Sequence, residues 1–191
     1  MLNILDLSFS YGDAPVLEHL SLSLKDGELL AIMGESGCGK STLLHLIAGL
    51  LKPSEGSISV DTANVTYVFQ EPRLFPWLTL RENLLAPLPK STENDARVAE
   101  ILQKVGLSGF EDHYPDELSG GMKSRASLAR ALLFGGDLFL LDEPFSALNE
   151  EMRKSLAADL RTELKSRGAS AILVTHQRTD AERFADRIIE I

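Results

Sequence analysis

Gly34, Gly39, Lys40 and Ser41 stand in "GESGCGKST" at the spacing G-x-x-x-x-G-K-[ST]. Glycines in such a loop let the backbone curl until its amide N–H groups point at a chain of phosphates. The amides in question run from Gly34 through Glu35, Ser36, Gly37, Cys38, Gly39, Lys40 and Ser41 to Thr42. A helix starting within the loop adds its positive end. Lys40 would then reach the β- and γ-phosphates, and the Ser41 hydroxyl would bind Mg²⁺. Further along, "LFLLDEP" sets Asp142 and Glu143 side by side after an apolar run. Asp142 suits a Mg²⁺ contact, direct or through water, and Glu143 could accept a proton from an attacking water, although acidic residues here also cap helices. His176, after "SAILVT", offers an imidazole to a γ-phosphate; a lone histidine after a strand is otherwise structural. His19, His45 and His113 have no such context. Cys38 is expected to contribute its backbone N–H and no thiol chemistry.

These residues need elements to hold them. "ELLAIM", "DLFLLD" and "SAILVT" are short, nearly continuous apolar runs, as strands buried on both faces are. Each ends in a candidate: Gly34, then Asp142 with Glu143, then His176. In open α/β sheets, ligands sit at the carboxyl ends of the strands, so these three ends are expected to face one pocket. Leu43, Leu46, Ile47 and Leu50 fall at helical spacing after the glycine loop. Ahead of it, "LNILDLSF" and "VLEHLSLSL" read as extended segments, and "SISV" and "VTYVF" follow it. The middle of the chain turns helical. Thr79 and Glu82 form a capping-box pattern for one helix, ending near Pro87. A second runs from about Glu93 with Val98, Ile101, Leu102 and Val105 on one face and Gly106 as its stop. The last third alternates helix and strand. The expected fold is α/β: a P-loop NTPase with a mainly parallel sheet flanked by helices, an N-terminal antiparallel β portion, and an inserted helical subdomain at about residues 72–118.

Composition narrows the classes. The chain has 191 residues, enough for one domain with a real core, and 44% are hydrophobic. No uncharged apolar run is long enough to span a bilayer, and the N-terminal residues do not read as a secretory signal. A single cysteine excludes an internal disulfide framework and fits a reducing compartment. The net charge of −9 repels phosphate backbones, which argues against nucleic acid as a partner.

The glycine loop alone leaves a hydrolase and a small-molecule kinase both open. A second loop, "LSGGM" at residues 118–122, separates them. On local sequence, Ser119 is either a plain helix N-cap or, with Gly120 and Gly121, an anion site at the start of the helix "MKSRASLARALL". In order along the chain stand Tyr11, "GESGCGKST", Gln70, "LSGGM", "FLLDE", "SALN" and His176. That series resembles the ATP-binding cassette (ABC) family, the ATPase subunits of ABC transporters, over essentially the whole chain. The stretch "QEPRLFPWLTLRENLL" resembles the importer ATPases for nitrate, sulfonates, taurine and thiamine-type compounds.

The resemblance implies ATP and Mg²⁺ as ligands, with Tyr11 stacking on adenine. Gln70 would act as a Mg²⁺ and water contact that senses a membrane partner, and Glu143, His176 and Lys40 as the catalytic groups. It also implies that a second cassette, giving a homodimer, supplies Ser119, Gly120 and Gly121 in trans to the γ-phosphate. Integral membrane permease subunits and a solute-binding protein are the further implied partners, the chain lying in the cytoplasm on the inner face of the membrane. Leu74, Phe75, Trp77 and Leu78 are read either as part of the permease groove or as local core. The expected function is ATP hydrolysis powering a small-solute importer. An exporter ATPase, a lipid or lipoprotein extraction system and a soluble non-transport ABC ATPase are the alternatives. Met122, where the family has Gln, and Asn149, where it has Asp, depart from the pattern. The chain is expected to be one nucleotide-binding domain over residues 1–191 with no C-terminal regulatory domain.

Overall fold

In the computed structural model, which describes residues 1–191 apart from the Thr92 side chain, the apolar runs form strands and the periodic segments form helices. The order is β1 (Leu2–Tyr11), β2 (Ala14–Leu24), β3 (Leu29–Met33), α1 (Lys40–Ile47), β4 (Glu55–Val60) and β5 (Val65–Val68). There follow α2 (Leu80–Leu85), α3 (Thr92–Lys104), α4 (Gly120–Phe134), β6 (Leu138–Asp142), α5 (Glu150–Ser166), β7 (Ser170–Val174), α6 (Arg178–Phe184) and β8 (Arg187–Glu190). The chain divides into two compact units, Met1–Tyr67 with Gly136–Glu143 and Ala157–Ile191, and Val68–Gly135 with Pro144–Leu156.

The first unit holds two sheets. β2-β1-β4 is antiparallel; Leu2, Ile4 and Leu7 point to one buried face. The second sheet has the order β5-β6-β7-β3-β8, with β6, β7, β3 and β8 pairing in parallel. Every residue of β3, β6 and β7 is buried, as their unbroken apolar runs require of strands covered on both faces. Leu43, Leu44, Leu46 and Ile47 of α1 pack with Leu30, Ile32, Leu138, Leu140, Ile172 and Val174 in one apolar cluster that also takes in Ile4, Leu7 and Phe9. The fold is the mixed α/β P-loop NTPase arrangement expected.

The second unit is helical. α2 begins at a complete capping box: Thr79 Oγ1 accepts from the Glu82 amide at 3.3 Å, and the Thr79 amide donates to Glu82 Oε2 at 2.8 Å. α3 is capped by Ser91 and ends at Gly106, whose φ of 66° suits the left-handed turn after a helix. α2, α3 and α4 pack on one another, and Leu80, Leu84, Val98, Ile101, Leu102, Leu132 and Leu133 are buried. That mutual burial brings α4 into the same compact unit as the helical middle.

Candidate functional site

The sheet order decides the site. β7 lies between β3 and β6, and Val174 is in register with Ile32 on one side and Asp142 on the other. The three strands therefore end in one row. Neighbouring strands lie ~4.8 Å apart, which puts the ends of β3 and β6 ~10 Å from each other. A loop crossing from β3 can close that gap, and it does. The Ser41 hydroxyl donates to Asp142 Oδ1 at 2.9 Å. Tyr67 donates to Asp142 Oδ2 at 3.3 Å, and its ring stacks near His45 with centroids 5.6 Å apart. Asp142 is 3% exposed, and burial pushes its carboxyl above the usual range against the two hydroxyl donors.

The loop owes its shape to its glycines. Gly37 and Gly39 have φ of 89° and 97°, open to glycine at no cost. A Cβ at Gly39 would meet Val16 and Leu17 side-chain carbons at 2.9 Å, and one at Gly34 would meet the Ile191 carbonyl oxygen at 2.5 Å and Cys38 Sγ at 2.6 Å. Close approach thus demands glycine at the positions the motif names. α1 starts at Lys40 with no side chain capping it, so its first-turn amides face outward from a positive helix end. Lys40 is 6% exposed; its ammonium donates to the carbonyls of Gly34 at 2.9 Å and Glu35 at 2.5 Å. The Cys38 amide donates to the Glu35 carbonyl at 3.3 Å.

Glu143 leaves β6 at φ 45°, in the left-handed region that a residue with a side chain occupies only where its surroundings hold it. Its amide donates to the Val174 carbonyl at 3.0 Å, and this bond fixes the turn. Its carboxylate meets His176 Nδ1 at 3.2 Å. Tyr11 lies at the hairpin joining β1 to β2, 53% exposed, its ring edge-on to Phe9; its partner across the hairpin is Ala14, two residues before the Val16 that packs against Gly39.

The structure thus brings Lys40, Ser41, Asp142, Glu143 and His176 together within the first unit, with Tyr11 on the hairpin that leads to the glycine loop. Gln70, Ser119, Gly120 and Gly121 belong to the second unit. Gln70 is exposed two residues past β5. Ser119 is the N-cap of α4, its hydroxyl accepting from the Met122 amide at 3.3 Å. The helix begins two residues earlier than "MKSRASLARALL", so the two glycines open its first turn. A Cβ at Gly120 would meet nothing within 4 Å, whereas one at Gly121 would lie 3.0 Å from the Ala147 carbonyl oxygen. Gly120 presents open backbone; Gly121 serves packing. Asn149 caps α5, its Oδ1 accepting from the Met152 amide at 2.9 Å, a role open equally to Asp.

Sequence reading missed Tyr67 and Asn83. The alternation in "VTYVF" marks Tyr67 as facing one side of a strand but not what it faces. Asn83, fully buried in α2, accepts from the Phe75 amide at 2.7 Å and donates to the carbonyls of Phe75, Leu78 and Thr79, so it shapes the turn that bears Trp77.

The ABC transporter family model matches residues 17–146, a span that holds the glycine loop, the "LSGG" loop, Asp142 and Glu143. The chain belongs to the ABC transporter family. Within that family it is 39% identical over 206 residues to the Fe(3+) ions import ATP-binding protein FbpC 2 of Haemophilus influenzae, covering 98% of this chain and 58% of that protein. It is 44% identical over 176 residues to the aliphatic sulfonates import ATP-binding protein SsuB 1 of Pseudomonas syringae pv. syringae, covering 91% of this chain and 73% of the relative. Among solved structures, the ATP-binding cassette MJ0796, a dimer in a post-hydrolysis state bound to ADP and Pi, superposes with a TM-score of 0.90 at 31% identity. That match covers 100% of this ABC-family chain and 94% of the other. The chain spans less than two thirds of the length of the iron-import relative.

Proposed function

We propose that this chain is the ATP-binding and ATP-hydrolysing subunit of an ABC transporter that imports a small solute. The observation that carries the reading is the meeting of Lys40, Ser41, Asp142, Glu143 and His176 at the carboxyl ends of β3, β6 and β7. The import functions in the relatives' names support import over export.

The phosphates would lie along the amides of residues 34–42 at the start of α1, with Tyr11 against the adenine. Lys40 holds its ammonium on two neutral carbonyls, and an anionic oxygen is the stronger acceptor, so a phosphate would draw it across. Ser41 and Asp142 present an alcohol and a carboxylate oxygen 2.9 Å apart, hard donors of the kind Mg²⁺ takes, with Gln70 assigned as a further contact on the family resemblance. Mg²⁺, when bound, would neutralise charge on the β- and γ-phosphate oxygens. Glu143 would orient the attacking water and hold its proton. His176, in contact with the Glu143 carboxylate, would keep that group aimed and face the γ-phosphate.

The dimeric state of MJ0796 supports a second cassette that closes over this site with its own Ser119, Gly120 and Gly121. Permease subunits would dock on the second unit, where Trp77 is 70% exposed and a cleft of about 430 Å³ opens between Leu78, Leu85, Leu88 and Pro89. No helix among the described residues is long and apolar enough to cross a membrane, in keeping with a cytoplasmic subunit held at the inner membrane face by those partners. A solute-binding protein would deliver the cargo from the far side, and nucleic acid has no part.

The test is Glu143→Gln. Turnover of ATP should fall at least ~100-fold while ATP binding persists, and light scattering should find a dimer with ATP that is absent without it. Wild-type turnover in that variant would overturn the assignment. Purification from native membranes should recover a permease with the chain.

A further inference from the structure

The helix that starts at Ser119 reaches back to the segment carrying Gln70. Arg130, some three turns into α4, donates from Nη1 to the Arg73 carbonyl and from Nη2 to the Pro72 carbonyl, each at 3.1 Å. Both acceptors come just after Gln70 and Glu71. Arg73 itself stands at φ 44°, a left-handed conformation that a residue with a side chain keeps only under restraint. Its guanidinium sits over the Phe69 ring, 3.9 Å from the centroid. The segment 69–73 is therefore closed at its ends by the Arg73–Phe69 contact and gripped from α4 by a two-pronged donor. All of these residues belong to the second unit.

The choice of arginine has a physical reason. Two successive carbonyls are a forked acceptor, and a guanidinium matches them with two parallel N–H groups where an ammonium offers a point. Burial lowers the pKa of Arg130 from its ordinary value, yet a guanidinium stays charged. A partly desolvated cation that lost either carbonyl would be left underpaired, so the arrangement is held on both sides.

We propose that Arg130 is a positioning residue that locks the segment 69–73 to α4, so that Gln70 and the Ser119 loop are carried as one body. Without the tether, Gln70 would sample positions independent of α4, and the two loops would not reach their nucleotides together. The inference rests on the reading of Gln70 and Ser119 as nucleotide contacts.

The test uses the whole chain with Arg130→Met and Arg130→Lys. In Arg130→Met, hydrogen exchange at the amides of residues 69–71, 73 and 74, measured without nucleotide, should rise at least tenfold while α3 stays protected. MgATP affinity should fall far less than kcat, because the phosphate loop lies in the first unit, and kcat should fall at least tenfold. Arg130→Lys should recover part of both losses. Unchanged exchange at 69–74, unchanged kcat, or a loss of affinity equal to the loss of kcat would each overturn the proposal. So would an Arg130→Lys chain equal to wild type, and that variant decides alone if Arg130→Met does not fold. A wild-type chain that binds and hydrolyses no ATP would defeat the functional reading, a result told apart because exchange is read in the absence of nucleotide.

Discussion

Ser41 and Asp142 are 101 residues apart in the chain and share a hydrogen bond of 2.9 Å, which ties the phosphate loop to the end of β6. Removing the carboxylate charge while keeping the acceptor separates the two jobs of this pair. Asp142→Asn should therefore stay folded, and its ATPase activity should need at least tenfold more Mg²⁺ for half-maximal rate. A Mg²⁺ titration matching wild type would show that Asp142 is structural only.

Lys40→Ala should lower nucleotide affinity by about 100-fold, the scale of losing a charge-assisted bond of ~2–3 kcal/mol. Isothermal titration with ATP would measure this. Unchanged affinity would contradict the phosphate-cradle reading of residues 34–42.

The two glycines after Ser119 should respond in opposite ways. A methyl at Gly121 would sit 3.0 Å from the Ala147 carbonyl oxygen and 3.4 Å from a Leu148 methyl carbon. Gly121→Ala should destabilise the fold by about 1 kcal/mol, a fall of ~2–4 °C in Tm. Gly120→Ala meets open space and removes glycine's helical penalty of ~0.5–1 kcal/mol, so its Tm should hold or rise. Its turnover should nevertheless fall, because in the proposed dimer a methyl would stand where the partner's phosphate would approach. Calorimetry and ATPase assays on the two variants check both halves.

Asp186 contributes to the acid sensitivity of the fold. Desolvation would raise its pKa, but that is outweighed by the Lys165 ammonium at 2.5 Å, the Leu29 amide at 2.9 Å and Arg161 at 2.7 Å, and the carboxyl is held down to about 2. A carboxyl depressed in the folded state stabilises the fold above its unfolded pKa near 3.9, and that contribution is lost as pH falls through about 2. After allowance for its partial exposure the contribution is about 1 kcal/mol. Asp186→Asn should thus lower Tm at pH 7 by a few degrees, and the gap to wild type should close between pH 5 and pH 2 in melting curves.

Much of this architecture was legible from residue types. The buried strands announced themselves as unbroken apolar runs, since a strand covered on both faces has no use for polar positions. Thr79 with Glu82, and Gly106, marked helix ends because caps and left-handed turns depend on a few neighbouring residues. Other features had no local trace. Nothing near Arg130 in sequence announces the carbonyls of Pro72 and Arg73, and the strain at Glu143 arises only where β6 and β7 end side by side.

By itself the sequence determined the parts: a glycine loop able to curl around phosphates, acidic and histidine side chains at strand ends, and a serine-capped helix start. Those depend on spacing within a few residues, where backbone geometry leaves little choice. The tertiary structure decided their company. The order β5-β6-β7-β3-β8 sets Ser41 against Asp142 and His176 against Glu143, and the packing of α4 sets Arg130 on the Gln70 segment. Such pairings are settled by which buried faces cover one another, a property of the whole core that no short stretch of chain encodes.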